Sequence, residues 1–395
     1  MKYITRTIWI LSLVSLFTDM ASEMLYPVMP IYLKSIGFSI VLIGVLEGFV
    51  EAFAGLSKGY FGKISDQTGR RVLFVQLGYG LSAMSKPLLA IFVFPVWVFF
   101  VRTIDRFGKG IRTGARDALL SDESTPETKG RIFGFHRSMD TVGGVLGPLS
   151  ALLYLHFFPE QYKRLFLLAF IPGVCALIAA FLLKDKKKTS PSEKKHLSFF
   201  SFLGYWKSSP PLYRKVVIGI LFFALFNSSD VFLLLKVKQA GFSDPQVIGV
   251  YIFYNLIFAL SAFPFGNIAD RIGMKMTFMI GLGLFTAVYF GMAFEFGYKT
   301  YFILFFLYGL YAACTEGIGK AWISNITDKN DTATAIGFLS GFQSICAIIA
   351  STLTGVLWYS FGAKTAFMTI AVVTVGVIFY FMILKTKLNA TTQSG

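Results

Sequence analysis

Twelve apolar segments, each about long enough to cross a bilayer, constrain this chain more than any other feature. They cover residues 8–33, 40–61, 72–92, 95–116, 134–157, 165–183, 216–235, 246–269, 276–297, 300–325, 333–358 and 365–384. A helix of about 20 residues, rising about 1.5 Å per residue, spans the ~30 Å hydrocarbon core. The 395 residues are 55% hydrophobic and 15% charged, where a soluble domain carries about 25% charge. A disordered, fibrous or ordinary soluble protein is excluded. Cys175, Cys314 and Cys346 stand far apart in apolar stretches, so no disulfide framework or metal site follows from them.

A net charge of +16 could suggest nucleic acid, but its placement argues for topology instead. With the N-terminus inside, the termini and even-numbered loops carry 21 of the 37 Lys and Arg, the opposite side carries seven, and nine lie within helices. The positive-inside bias then orients a multi-pass inner (plasma) membrane protein with both termini cytoplasmic. The first segment holds Asp19 and Glu23 and exceeds the apolar core of a signal peptide, so it reads as a retained span.

Residues 184–215 divide the chain. The run KDKKKTSPSEKKH, followed by Pro210 and Pro211, is too charged to cross a membrane. It reads as a solvated cytoplasmic linker between a six-helix bundle at 1–183 and a second at 216–395. An internal repeat supports this division. Gly37-Phe38-Ser39 recurs as Gly241-Phe242-Ser243, and Gly62, Asp66, Gly69 and Arg71 recur as Gly266, Asp270, Gly273 and Lys275, all at an offset of 204. Six spans repeated in parallel about a central loop form the architecture of a rocker transporter.

The same residues carry a family resemblance. GKISDQTGRR (62–71) is similar to the cytoplasmic signature of the major facilitator superfamily, and GNIADRIGMK (266–275) resembles its second copy. RFGKGIRTGA (106–115) resembles the family's Arg-x-x-Gln-Gly element, with Lys109 where Gln is usual. GGVLGP (143–148) resembles the antiporter element of drug/proton exchangers. The resemblance implies an all-α fold of twelve transmembrane helices in two pseudo-symmetric bundles. It also implies that Asp66 pairs with a nearby Arg and a helix N-terminus of the other half, so that Gly62, Asp66, Gly69, Arg70, Arg71 and Asp270 latch the cytoplasmic side. Gly143, Gly147 and Pro148 would form part of the interface between halves. Asp140, beside Arg137 and His136, is expected near the cytoplasmic side, paired with the end of span 4 or acting as a gate.

Charges within the spans point to a wet interior, since ionisable groups in a membrane face a bundle core or a cavity. On span 4, Arg102, Asp105, Arg106, Lys109, Arg112 and Arg116 share an arc of about 120°, which should line a central path, with Arg112 and Arg116 reaching the inner headgroups. Helix rise puts Asp19, Glu51 and Arg106 near mid-membrane, each about 17 Å in. Glu23 and Glu47 fall together nearer the outside. Asp19 and Glu23 share a face, as do Glu47 and Glu51. Pro27 and Pro30 should break the outer end of span 1. Carboxylates in low dielectric can exchange protons near neutral pH; the expected carriers are Asp19 or Glu23 with Glu47 or Glu51, with Arg102 and Arg106 as counter-charge. Asp230, Glu316 and Lys320 are the sparse charges of the second half, the last two pairing with each other at i, i+4.

These features favour proton-coupled efflux of a small amphipathic or drug-like compound by a monomeric antiporter. Transport of an anionic metabolite, siderophore or lipid headgroup is the alternative, and a non-transporting receptor is the reading from another class. The expected partners are a small-molecule substrate and the bilayer, without nucleic acid, and no cofactor beyond the coupling proton. GLSKG (55–59) matches a hydrolase pattern but lies inside a membrane helix rather than on the strand-to-helix turn that pattern needs. No phosphate-binding loop is present, so neither an enzyme nor a directly ATP-driven pump is indicated.

Overall fold

A computed structural model describes residues 4–26, 29, 32–33, 40–92, 94–185 and 198–384. Within these, the side chains of 40–49, 51, 52, 95, 244, 245 and 248 lie outside the description. All regular structure among the described residues is helical. Span 1 is the helix Arg6–Glu23, span 2 Ile40–Thr68, span 3 Arg71–Ile91, span 4 Pro95–Asp122, span 5 Lys129–Phe157 and span 6 Tyr162–Phe181. Span 7 is split into Pro211–Ala224 and Val231–Gln239. Spans 8, 9 and 10 are Asp244–Ile272, Met274–Met292 and Tyr298–Asn325. Pro27 and Pro30 fall outside the described residues; the helix of span 1 ends at Glu23, before them.

Spans 11 and 12 share one helical run, Thr332–Ile383, of 52 residues. Such a run would extend about 78 Å if straight, far beyond a bilayer. Gly362, at φ 83°, interrupts it, and the rings of Trp358 and Phe367 meet at 5.3 Å between centroids. Nine residues of straight helix would hold them about 13.5 Å apart, so the chain folds back at Gly362.

The burial pattern is the inverse of a soluble protein's. Val96, Leu153, Leu260 and Val372 are 74%, 63%, 65% and 70% exposed, whereas Lys86, Arg102, Arg112, Asp117 and Asp140 are buried. Apolar side chains outside and charge inside suit a bundle with lipid around it and a polar path within it. By length and hydropathy alone, 162–181, 249–272, 274–292, 298–325 and 332–383 qualify as membrane-crossing helices. Span 4, with its row of charges, does not.

The bundles meet along two seams, span 2 against span 11 and span 5 against span 8. Glycine makes both seams close. A Cβ at Gly62 would strike the Ala333 carbonyl, one at Gly337 the Lys58 carbonyl, and one at Gly130 would lie 2.6 Å from the Gly266 carbonyl oxygen. Gly143 and Gly147, expected between the halves, instead face span 1 of their own bundle. A Cβ at Gly147 would lie 2.6 Å from the Met20 carbonyl oxygen, and one at Gly143 would meet the Leu16 carbonyl. Small residues permit close approach to any neighbour; here the other end of span 5, at Gly130 and Gly134, holds the seam. Gly147→Leu is expected to push spans 1 and 5 apart at a cost of about 1–3 kcal/mol. A lower thermal unfolding midpoint in detergent would register it. Gly144→Leu, where a Cβ meets nothing within 4 Å, should leave the midpoint unchanged, and equal behaviour of the two variants would refute the assignment.

The segment 184–215 is not solvated throughout. Phe199–Gly204 forms a 3-10 turn that runs into the short helix Tyr205–Ser208 on the span 2–span 11 seam. Phe202 covers Gly59, Trp206 stacks on Phe338 at 5.7 Å, and Lys63 Nζ donates to the Ser201 carbonyl at 2.7 Å. The charged first part of the segment hid this aromatic second part, whose apolar area favours docking. The face that carries this segment is called the linker face below.

Candidate functional site

A cavity of about 430 Å³ lies between the bundles. The first bundle lines it with Asp19, Lys58, Lys109, Arg112, Arg116, Arg137 and Asp140. The second supplies Ile220, Phe223, Phe278, Tyr311 and Leu339, the neutral polar groups Asn227, Thr315, Gln343 and Ser344, and the charged pair Glu316 and Lys320. One wall is thus strongly charged, and the other mixes apolar and aromatic side chains with polar ones.

Span 5 places Asp140 at the centre of the charged wall. Its carboxylate accepts from Arg137 Nη1 at 2.5 Å and from Ser15 Oγ of span 1, and Asp19 of span 1 lines the same cavity. Asp140 therefore belongs to the cavity and not to a latch at the linker face. The helix starts at Lys129, five residues earlier than the hydropathy suggests, so Asp140 sits about 7.5 Å deeper.

Arg137 also reaches across the seam, Nη2 to Glu316 Oε2 at 2.6 Å. Lys320 Nζ lies 2.9 Å from Asp117 of span 4, which also holds Arg116 at 2.8 Å. Glu316 and Lys320 do not pair with each other. At i, i+4 both project from one helix face toward the first bundle, and each meets an opposite charge there. Two ion pairs therefore join the halves beside the cavity.

Arg112 and Arg116 do not reach headgroups either. Span 4 continues to Asp122, which leaves both well inside its helix. Arg112 donates to Ser82 Oγ at 2.7 Å, and its guanidinium lies over the Tyr79 ring at 4.4 Å. Asp105 is held by Lys86 Nζ of span 3 at 2.8 Å, and Lys86 also donates to Ser22 Oγ at 3.2 Å. Arg102, Asp105 and Arg106 are not in the cavity wall; Arg102 is buried and Arg106 half-buried. Glu23, half-buried at the end of span 1, is not in the cavity wall either. The side chains of Glu47 and Glu51 lie outside the description. Lys58, Lys86 and Asp117 were not expected in the site; Lys86 was legible as the lone charge of span 3, whereas Asp117 falls one residue past the expected end of span 4.

Span 7 reads as continuous in sequence but is unwound between its two helices. The polar run Asn227-Ser228-Ser229-Asp230 falls in the break. Tyr308 Oη donates to Asp230 at 2.6 Å, and Tyr289 Oη and Ser228 Oγ are 2.9 Å apart. Broken backbone at membrane depth persists only where polar partners are at hand.

At the linker face, two carboxylates tie the halves together. Asp66 accepts from Ala333 N at 3.3 Å and from Thr334 N and Oγ1 at 2.7 and 2.8 Å, at the start of span 11. Arg71 bridges Asp66 at 3.1 Å, Asp122 at 2.7 Å and the Lys329 carbonyl at 3.1 Å. Asp270 accepts from Gly130 N at 2.7 Å and from Arg131 N and Nε at 3.0 and 2.9 Å, at the start of span 5. Asp66 and Asp270 obey the 204-residue offset, and so do Gly130 and Thr334. Each bundle thus places a carboxylate on a helix N-terminus of the other, where aligned N–H groups favour negative charge. Gly69 at φ 64° and Gly273 at φ 95° make the tight turns that follow. Arg70 is exposed.

A family model described as Major Facilitator Superfamily matches residues 11–257 and again 237–394. This chain belongs to the Major Facilitator Superfamily. An uncharacterized MFS-type transporter of Methanocaldococcus jannaschii is 32% identical over 363 residues, 90% of this chain and 89% of that one. The class B tetracycline resistance protein of Escherichia coli is 27% identical over 161 residues, 40% of this chain and 38% of that one. The fold is similar to that of the human organic anion transporter MFSD10, with a TM-score of 0.80 at 17% identity over 95% of this chain and 99% of that one. Major Facilitator Superfamily proteins are carriers of small molecules, so the chain is an integral membrane transporter and not an enzyme. A non-transporting receptor finds no support.

Proposed function

We propose that this transporter couples export of a small molecule to inward proton flow by alternating access. The observation that carries the coupling is that Asp19 and Asp140 line one wall of the cavity together, with Asp140 held by Arg137 and Ser15. Two carboxyl groups crowded in a low-dielectric wall are more stable with a proton on one of them than with both ionised. Arg137 and Lys109 stand ready as counter-charge when that proton leaves. Because Arg137 also holds Glu316 of the other bundle, the charge of the carboxyl pair is linked to a contact that must break when the halves rock. Export is supported by the tetracycline resistance relative. In this reading the chain works as a monomer in the inner membrane, with the linker face and both termini cytoplasmic and no cofactor. Residues 1–183 and 216–395 are the rocking bodies. With Asp66 and Asp270 engaged, the cytoplasmic side is shut.

Reconstitution into liposomes that hold a pH-sensitive dye tests this. A compound panel is expected to contain substrates that drive proton movement and that accumulate under an imposed pH gradient, with accumulation abolished by a protonophore. Accumulation that follows a sodium gradient and ignores the pH gradient would overturn the proton assignment.

A further inference from the structure

We infer that the substrate is an amphipathic organic anion, its acidic head on Lys109 and Arg112 of the first bundle and its apolar body against Phe223, Phe278 and Leu339 of the second. The inference deepens the carrier reading above. Six cations and three carboxylates line the cavity. Of those carboxylates, Asp140 and Glu316 are engaged by Arg137. Asp117, behind the wall, holds both Arg116 and Lys320. Leaving Lys58 aside, the other five cations still outnumber these carboxylates with Asp117 counted, so positive charge is in excess.

Lys109 and Arg112 are where that excess is open to a ligand. They lie at i, i+3 on one face of span 4 and both line the cavity. Among the described residues neither has a carboxylate within the 4.0 Å of an ion pair. The Lys109 side chain is exposed into the space. Arg112 is 4% exposed, fixed by Ser82 and the Tyr79 ring, and its Nε has no hydrogen-bond partner. A buried cation without a counter-ion is costly, and an acidic head group supplies one through charge-assisted hydrogen bonds. Lipophilic cations would meet like charge at the same place. The facing wall offers apolar and aromatic surface, which an inorganic anion could not use. The volume suits a small organic molecule. A ligand held this way touches both bundles, as alternating access requires.

Three probes with one apolar body test this on the purified full-length chain: 1-naphthylacetate, its trimethylammonium counterpart and the neutral alcohol. Binding is measured by equilibrium dialysis in detergent, and proton movement in liposomes. The anion is expected to bind at least tenfold more tightly than the other two. Lys109→Gln and Arg112→Gln should each weaken it by roughly tenfold or more, and Lys109→Arg should retain it. Arg112→Gln can fail to fold because Arg112 is buried; Lys109→Gln, at an exposed position, keeps the test decisive. Equal or better binding by the cation or alcohol, no binding of the anion at millimolar concentration, or unchanged binding in Lys109→Gln would each overturn the inference. Anion binding without proton movement supports it and overturns the proton coupling proposed above. Proton movement driven by the cation does the reverse.

Discussion

Replacing Asp66 and Asp270 together with alanine is expected to leave the linker face open and to slow transport at least a hundredfold. Each carboxylate accepts three hydrogen bonds from the first turn of a helix in the opposite bundle, and Arg71 ties Asp66 further to span 4. A hydrogen bond to a charged group contributes about 1.5–3 kcal/mol. Shared geometry makes the sum smaller than its parts, yet a loss of only about 3 kcal/mol already shifts a two-state equilibrium more than a hundredfold. The ion pairs that remain between the halves, Arg137 with Glu316 and Lys320 with Asp117, lie beside the cavity and not at the linker face. Spin labels at Thr68→Cys and Asn330→Cys, both at exposed positions on opposite sides of one seam, should report a longer distance in the double variant. Asp66→Asn keeps an acceptor oxygen and should fall between the two. An unchanged distance and an unchanged rate in the double alanine variant would show that these carboxylates do not hold the face shut.

How much of this was legible in the sequence depends on whether a residue's partner mattered. Hydropathy located the twelve spans because lipid imposes length and composition on a helix regardless of its neighbours. The resemblance pointed Asp66 to a helix N-terminus in the other half, and its carboxylate accepts from Thr334 N there. Helical periodicity showed which face of span 4 turns inward, but it cannot say which helix that face meets. Lys86 was therefore missed as the partner of Asp105, and Arg112 and Arg116 were sent to headgroups. The i, i+4 rule paired Glu316 with Lys320 because on an isolated helix water is the only competitor; here Arg137 and Asp117 compete and win. A hydropathy window of about 19 residues averages away a short polar break, so the unwound Asn227–Asp230 stretch looked like ordinary span. Gly143 and Gly147 declared close packing truly and left the neighbour undetermined. In each case what was lost is tertiary choice among chemically equivalent partners.

Asp140→Asn is expected to uncouple the transporter. Accumulation driven by a pH gradient should fall at least a hundredfold, while exchange of substrate across the membrane without a gradient should persist within severalfold. An amide can neither bind nor release the proton that the proposed coupling assigns to this pair, but it fills nearly the same volume and can still accept from Ser15. Asp19→Asn should behave the same way. The double variant should be no worse than either single, because residues that act as one unit are not additive. A merely structural role predicts something else, namely loss of exchange and accumulation together, with additive effects. Glu316→Gln supplies that contrast: it cuts the ion pair from Arg137 to the second bundle and leaves both carboxyl groups in place. It should slow exchange and accumulation in equal proportion, with the coupling ratio unchanged. Gradient-driven accumulation retained in both Asp19→Asn and Asp140→Asn would remove the pair from the coupling step. The proton would then have to be carried by another carboxylate, and Glu23, on the same face of span 1 as Asp19, is the next to test.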